Sequence, residues 1–546
     1  MPTKSQTVAY NRERGVQPLQ ETQKIFESNG KVVGGMDTFN DPTALDPSQW
    51  VSLLNVTNRF SKLSRRAGGA LITPVKPNSN KILKFYTTTL WNTDAVQLRF
   101  TRNSIHSRSS SAWTPFIGQA LTGSDTDRFR ILNFINRIFI SNDGVDPIRE
   151  LDPVGNVVNV LGNAPRFKYI CSVSNRIVGA YLKDTPDNPT LIGWSGDLNL
   201  GEWDPLVDFS AGSNPLYESQ SEYSEFITGI FGFETTVLVM RQRSIVLGTL
   251  QPSATDPFYF YTSVPGIGSD SPDTIQRIPE GVIFYDFRTR MVYQYTLAAG
   301  ASAAYGASNG VSLIGLPIAE TLTNQITDPS LLTSSFDPIN LEYQLCISVA
   351  SSNTTRIWTY NLKTKAWSFD EKNNVSSIDN VEFSQSTGAI GDLVGTIGNL
   401  LGTIASLSPS VNTSTRFYSF INGDIEQYDA LNDVDEDGIY TTTIESKVFE
   451  LPLDDASFQR VRIEIIVRKA TTITLSYSKD NGVSWSLYKS VSLTPQNNVN
   501  ENNRQLVIAS KHIRSRQLKF KIESVSGLWD IVGYEVHYLA DSPSRK

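Results

Sequence analysis

A chain of 546 residues exceeds what one hydrophobic core ordinarily supports, so two or more domains are expected. Hydrophobic residues at 39% and charged residues at 19% exclude a globally disordered polymer. A net charge of −7 excludes a general attraction to phosphate backbones, and no run reaches the about 18 apolar residues of a membrane-spanning helix.

Residues 1–29 are polar, weakly patterned and without the apolar stretch of a secretory leader. They read as an N-terminal arm, either flexible or docked on a neighbouring subunit. From residue 30 to about 430 the text becomes short apolar runs bounded by Gly, Asn, Asp or Pro. Arg137–Gly144, Thr235–Arg241, Gly281–Asp286 and Met291–Leu297 are clear strands. Arg356–Phe369 reads as a hairpin turning at Asn361–Lys365, and Arg416–Asp429 as another turning at Asn422 and Gly423. The 56 aromatic residues and the many Gly and Pro residues favour the same architecture. Repeated hairpins without a fixed period predict a β-propeller-like body carrying insertions, its blade count left open. Within it, residues 376–415 are rich in Gly, Ser and Thr and read as an irregular loop or a late blade strand.

Beyond the acidic stretch at Asp433–Gly438 the alternation sharpens. Val461–Arg468, Thr472–Ser478, Gln517–Glu523 and Ile531–Tyr538 alternate with period two, as half-buried antiparallel strands do. Residues 431–546 are therefore predicted to form a C-terminal antiparallel β-sandwich, and the fold class is all-β.

Catalytic signals are sparse. His106, His512 and His537 are isolated from one another in sequence, which disfavours an acid–base pair or a metal cluster. Gly306, Ser308 and Gly310 match G-x-S-x-G, but the flanks are not the strand and helix of a nucleophile elbow. Cys171 and Cys346 lie in apolar runs and read as buried thiols. Asp433, Asp435 and Asp437 resemble the opening of a calcium loop. Its twelfth position is Ile444 rather than Glu, so an acidic interdomain turn is the stronger reading. Ser478, Asp480, Gly482 and Trp485 fit an Asp-box hairpin, in which Asp accepts backbone N–H groups across the turn and Gly takes a positive φ. It is read as structural. No catalytic residue and no cofactor are assigned.

The segments Gly34–Asn55, Leu63–Gly68, Arg176–Tyr181 and Leu191–Pro205, and the Gly-Thr-Ile repeats at 395–397 and 402–404, taken in order, resemble the tail nozzle or hub proteins of short-tailed bacteriophages. That resemblance implies a structural, non-enzymatic virion component made in the host cytoplasm and located in the tail. It would form a homo-oligomeric ring, usually a hexamer, below the portal and adaptor and beside tail fibres or a spike. Double-stranded DNA would pass through its lumen without sequence-specific contacts during retention and ejection. The competing expectations are a propeller–sandwich carbohydrate-active or receptor-binding protein and a cellular interaction scaffold.

Overall fold

The structure is a computed structural model describing residues 23–27 and 32–540, apart from residue 60 and the segments 73–74, 90–94, 109–111, 217–224, 298–309, 349–352, 386–410, 436–437, 452–455 and 496–503. The fold is all-β. The chain divides into two compact units: residues 67–363 with 369–437, and residues 1–66 with 364–368 and 438–546.

The first unit is a propeller of seven blades, each of four antiparallel strands, with Ile117–Gly118 adding a short parallel fifth strand to blade two. Blade one opens with Lys84–Thr89, blade two with Phe129–Phe134, blade three with Phe167–Val173 and blade four with Ile227–Phe233. Blade five opens with Gln276–Ile278, blade six with Leu332–Asp337 and blade seven with Val375–Gln385. In each blade these opening strands pair with the next strand in sequence, so short hairpin turns suffice. The turns take the positive-φ residues such geometry demands, including Gly423 at 87° in the Asn422–Gly423 hairpin.

Cores form between blades rather than within them. Val178, Ile192 and Trp194 of blade three interleave with Val237, Val239 and Phe258 of blade four. Leu98 and Phe100 of blade one meet Ile138 and Ile140 of blade two. The ring closes where blade seven meets blade one. There Phe85 packs against Phe417 with ring centroids 4.7 Å apart, and the Phe85 N–H donates to Asp379 Oδ2 at 3.0 Å. The fourth strand of blade seven comes from early in the chain: Gly69–Leu71 pairs antiparallel with Ile425–Tyr428. A propeller latched by strands from both ends of its sequence has no open blade edge at the seam.

Behind that latch Lys372 is fully buried, its Nζ 2.6 Å from Glu426 and 3.0 Å from Asp435. Arg416 is buried nearby against Glu342 at 3.1 Å and Asp370 at 3.7 Å.

The second unit is the sandwich. One sheet contains Val56–Arg59, Lys62–Arg65, Leu528–Ala540, Ala456–Lys469 and Arg504–Arg514 in that order. The facing strands include Trp50–Leu54, Thr442–Ser446, Gln517–Ser524, Thr471–Ser478 and Ser486–Leu493. Trp50, Phe449 and Phe520 of this set pack on Tyr534 of the first sheet, with ring centroids 5.2–6.2 Å apart.

Two expected boundaries need correction. Residues 30–66, expected to enter the first blade, belong to the sandwich unit, because Trp50 and Leu53 are fully buried in its core. The propeller also runs on to Asp437 rather than ending at 430, because Asp435 is held by Lys372. Within the N-terminal arm, Gln23–Glu27 forms a strand beside Leu528–Ala540. Residues 1–22 and the Gly-Thr-Ile repeats lie outside the described residues.

Candidate functional site

The opening strands of blades two to five, with Lys84 of blade one and Pro272, line a cavity of about 300 Å³ on the propeller axis. That volume lies at the lower end of small-ligand sites. Lys84, Arg130, Tyr169, Thr228, Gln276 and Arg277 are among its lining residues.

An ion pair spans the axis. Arg130 Nη2 of blade two lies 2.6 Å from Asp273 Oδ1, and Arg128 Nε lies 3.2 Å from Asp273 Oδ2. Asp273 precedes blade five, so the pair joins blades that are not neighbours in the ring. Burial pushes the Asp273 carboxyl up, but Arg130 and Arg128 outweigh it and hold the group below its usual range. Lys168 pairs with Asp143 at 3.2 Å, and burial holds the Asp143 carboxyl above the usual range despite that partner. Lys84 pairs with Asp379. Tyr169 is buried beneath Arg130 at 5.5 Å, and its phenol is pushed well up by burial.

Arg277 differs from these cations. Its guanidinium sits over the Phe233 ring at 4.6 Å and has no carboxylate partner among the described residues. The Thr228 hydroxyl, on a residue 6% exposed, is buried without a hydrogen-bond partner among the described residues. Three cations (Lys84, Arg130 and Arg277) thus line the cavity with no carboxylate among its lining residues, although Lys84 and Arg130 pair with Asp379 and Asp273. In a chain of net charge −7 this is a local reversal of sign.

The residues singled out from sequence lie elsewhere. Asp433 and Asp435 are buried, and Asp435 neutralises Lys372, so its carboxylate is committed to an ion pair; Asp437 lies outside the described residues. The three histidines sit on separate strands. His106 is driven down to about 4, mainly by burial and further by Arg99, while His537 bonds Glu535 at 2.8 Å. Cys171 and Cys346 are both buried free thiols, and burial pushes Cys346 up to about 12. Of the G-x-S-x-G match, Ser308 lies outside the described residues.

The Asp-box hairpin takes its expected form. Asp480 Oδ1 accepts from Ser478 Oγ at 2.6 Å and from the Ser484 N–H at 2.9 Å, and the Gly482 N–H donates to Ser478 Oγ at 2.8 Å. Asn481 and Gly482 both carry positive φ. Trp485 packs under Lys521 at 4.9 Å. The bonds from Ser478 and Ser484 hold the Asp480 carboxyl down at about 2. A depressed carboxyl stabilises the fold above its unfolded value, and the contribution disappears as pH falls from about 4 to about 2. Carboxyl-carbon NMR is expected to place the Asp480 midpoint near 2 and to raise it in Ser478→Ala; an ordinary midpoint near 4 in the native protein would contradict the turn geometry.

No family model matches the chain, and no curated protein does. Similar solved structures include two of the extracellular domain of a protein from B. thetaiotaomicron. One, described as part of a hybrid two-component system, is 8% identical with a TM-score of 0.38, over 70% of this chain and 45% of that one. The other, described as part of a one-component system, is 8% identical with a TM-score of 0.37, over 87% and 63%. The chain thus spans less than two thirds of either structure's length. The tail-nozzle expectation is corrected to this extent: the matched structures are described as extracellular domains and not as tail proteins. At these scores the likeness assigns no activity to this chain.

Proposed function

We propose that this protein is a non-catalytic binding scaffold whose propeller axis holds a small anion of the carboxylate or phosphate class. The carrying observation is the excess of cations around the axial cavity, where Arg277 has no carboxylate partner among the described residues. A buried Thr228 hydroxyl without a partner among those residues gives the same cavity an unspent hydrogen-bonding group. Leaving such a group unsatisfied is costly, and a ligand oxygen would satisfy it.

The non-catalytic reading is supported by how the reactive groups are spent. Asp273, Asp143 and Asp379 are each paired with a cation. The thiols are buried, with Cys346 far from nucleophilic at neutral pH. A general acid or base needs a free group near its working pH, and Asp273 and Asp379 are engaged by the cavity's own cations.

Calorimetric titration of the full chain with phosphate and with di- and tricarboxylates tests this. One of these anions is expected to bind at the axis. Arg277→Ala should weaken it by about tenfold to a hundredfold, the worth of a charge-assisted hydrogen bond. Thr228→Val should weaken it less. No binding by any of these anions, or equal affinity in Arg277→Ala, would sink the proposal.

A further inference from the structure

The sandwich unit carries a second charge reversal, independent of the axial cavity. Residues 479–521 contain eight Lys and Arg against two acidic residues, within a chain of net charge −7. Four of these cations gather beside the Asp-box hairpin. Lys479 Nζ donates to the Arg514 carbonyl at 3.3 Å, and Lys489 Nζ donates to the Ile508 carbonyl at 2.7 Å. Lys511 Nζ lies 5.0 Å from the centre of the Tyr477 ring, which packs on Tyr488 at 5.5 Å. Lys479, Lys489, Lys511 and Arg514 are all exposed, and none has a carboxylate partner among the described residues. The nearby Asp480 is occupied by the turn's own hydrogen bonds.

The hairpin adds an apolar element. Because Ser478, Asp480 and Ser484 close the turn among themselves, Val483 is left projecting at its tip, 87% exposed, and Leu487 follows it at 61%. A rigid turn presenting apolar side chains, flanked by unpaired cations, has the two components of reversible membrane association. The cations are drawn to an anionic leaflet, and the apolar tip enters the headgroup boundary. A single-stranded nucleic acid would need open aromatic faces for its bases. Here Tyr477 is buried and capped by Lys511, while Trp485 lies under Lys519 and Lys521.

We infer that this edge of the sandwich docks on an anionic lipid surface, with Val483 at the point of entry and Lys479, Lys489, Lys511 and Arg514 as the electrostatic contact.

Cosedimentation of the full chain with lipid vesicles tests the inference. The protein is expected to pellet with phosphatidylserine-rich vesicles, to remain in solution with phosphatidylcholine vesicles, and to be released by high salt. Replacing Lys479, Lys489 and Lys511 together by Gln should lower partitioning by about a hundredfold, at about fivefold per lysine. Val483→Asn should lower it severalfold without changing its salt dependence. Every replaced side chain is exposed, and circular dichroism is to check that each variant is folded. Failure to pellet with anionic vesicles would overturn the inference, as would equal pelleting with neutral ones. So would vesicle binding by Val483→Asn equal to that of the native protein together with capture on a heparin matrix, which would mark a site for soluble polyanions.

Discussion

Replacing Lys372 by Met is expected to lower the thermal midpoint of the propeller by about 5–10 °C, the consequence of losing about 3–5 kcal/mol. Lys372 is fully buried on the last strand of blade six, between Glu426 at 2.6 Å and Asp435 at 3.0 Å, with the Tyr418 ring 4.6 Å away. Methionine keeps the length of the side chain but leaves two buried carboxylates without their counter-charge. Glu426 lies on the strand that receives Gly69–Leu71, so the loss falls on the closure of the ring. Space there is already exhausted: a Cβ at Gly69 would lie 2.2 Å from Glu426 Oε1. The double variant Lys372→Met, Glu426→Gln should recover part of the loss, because one of the stranded charges is removed with its partner. Calorimetry measures both midpoints. An unchanged midpoint in the single variant would mean that the ion pair contributes nothing to the latch.

Trp50→Ala should cost the sandwich about 3–5 kcal/mol, the range for emptying a large aromatic site. The indole is fully buried, donates to the Val32 carbonyl at 2.8 Å, and touches Tyr534 at 5.2 Å and Phe520 at 6.2 Å. Few neighbours can relax into so large a void, since Phe449 and Phe520 already stack on each other at 5.8 Å. Trp50→Phe should keep most of the packing and lose the hydrogen bond. Urea denaturation followed by near-ultraviolet circular dichroism separates the two variants. Equal stability of Trp50→Ala and the native chain would remove residues 32–66 from the sandwich core.

Both positions show what the sequence made legible. The hairpins of blades five to seven and the alternating strands after residue 456 were readable because each depends on neighbours a few residues away. The Asp-box turn was equally legible, since Ser478, Asp480 and Ser484 satisfy one another within seven residues. Trp50 was misplaced because its ring partners Phe520 and Tyr534 lie 470 and 484 residues downstream, where no local pattern points. The latch strand Gly69–Leu71 escaped for the same reason, its partner being at 426–428.

The axial cavity was missed altogether, although a trace of it is present. The second residue of the opening strand is Arg130, Lys168, Thr228, Arg277, Thr333 and Ser376 in blades two to seven. A polar residue recurs at this strand position, but insertions of different length separate the blades and hide the repeat. Only the folded ring brings three of them, Arg130, Thr228 and Arg277, to one cavity and carries Arg130 across to Asp273.

On the proposed reading this cavity holds an anion. The most direct measurement is a crystal structure of the protein soaked in selenate or bromide, with the anion located by its anomalous scattering. The expected result is a peak in the axial cavity within hydrogen-bonding distance of Arg277 and Thr228, lost in Arg277→Ala crystals. An empty cavity, with peaks confined to the outer surface, would contradict the account.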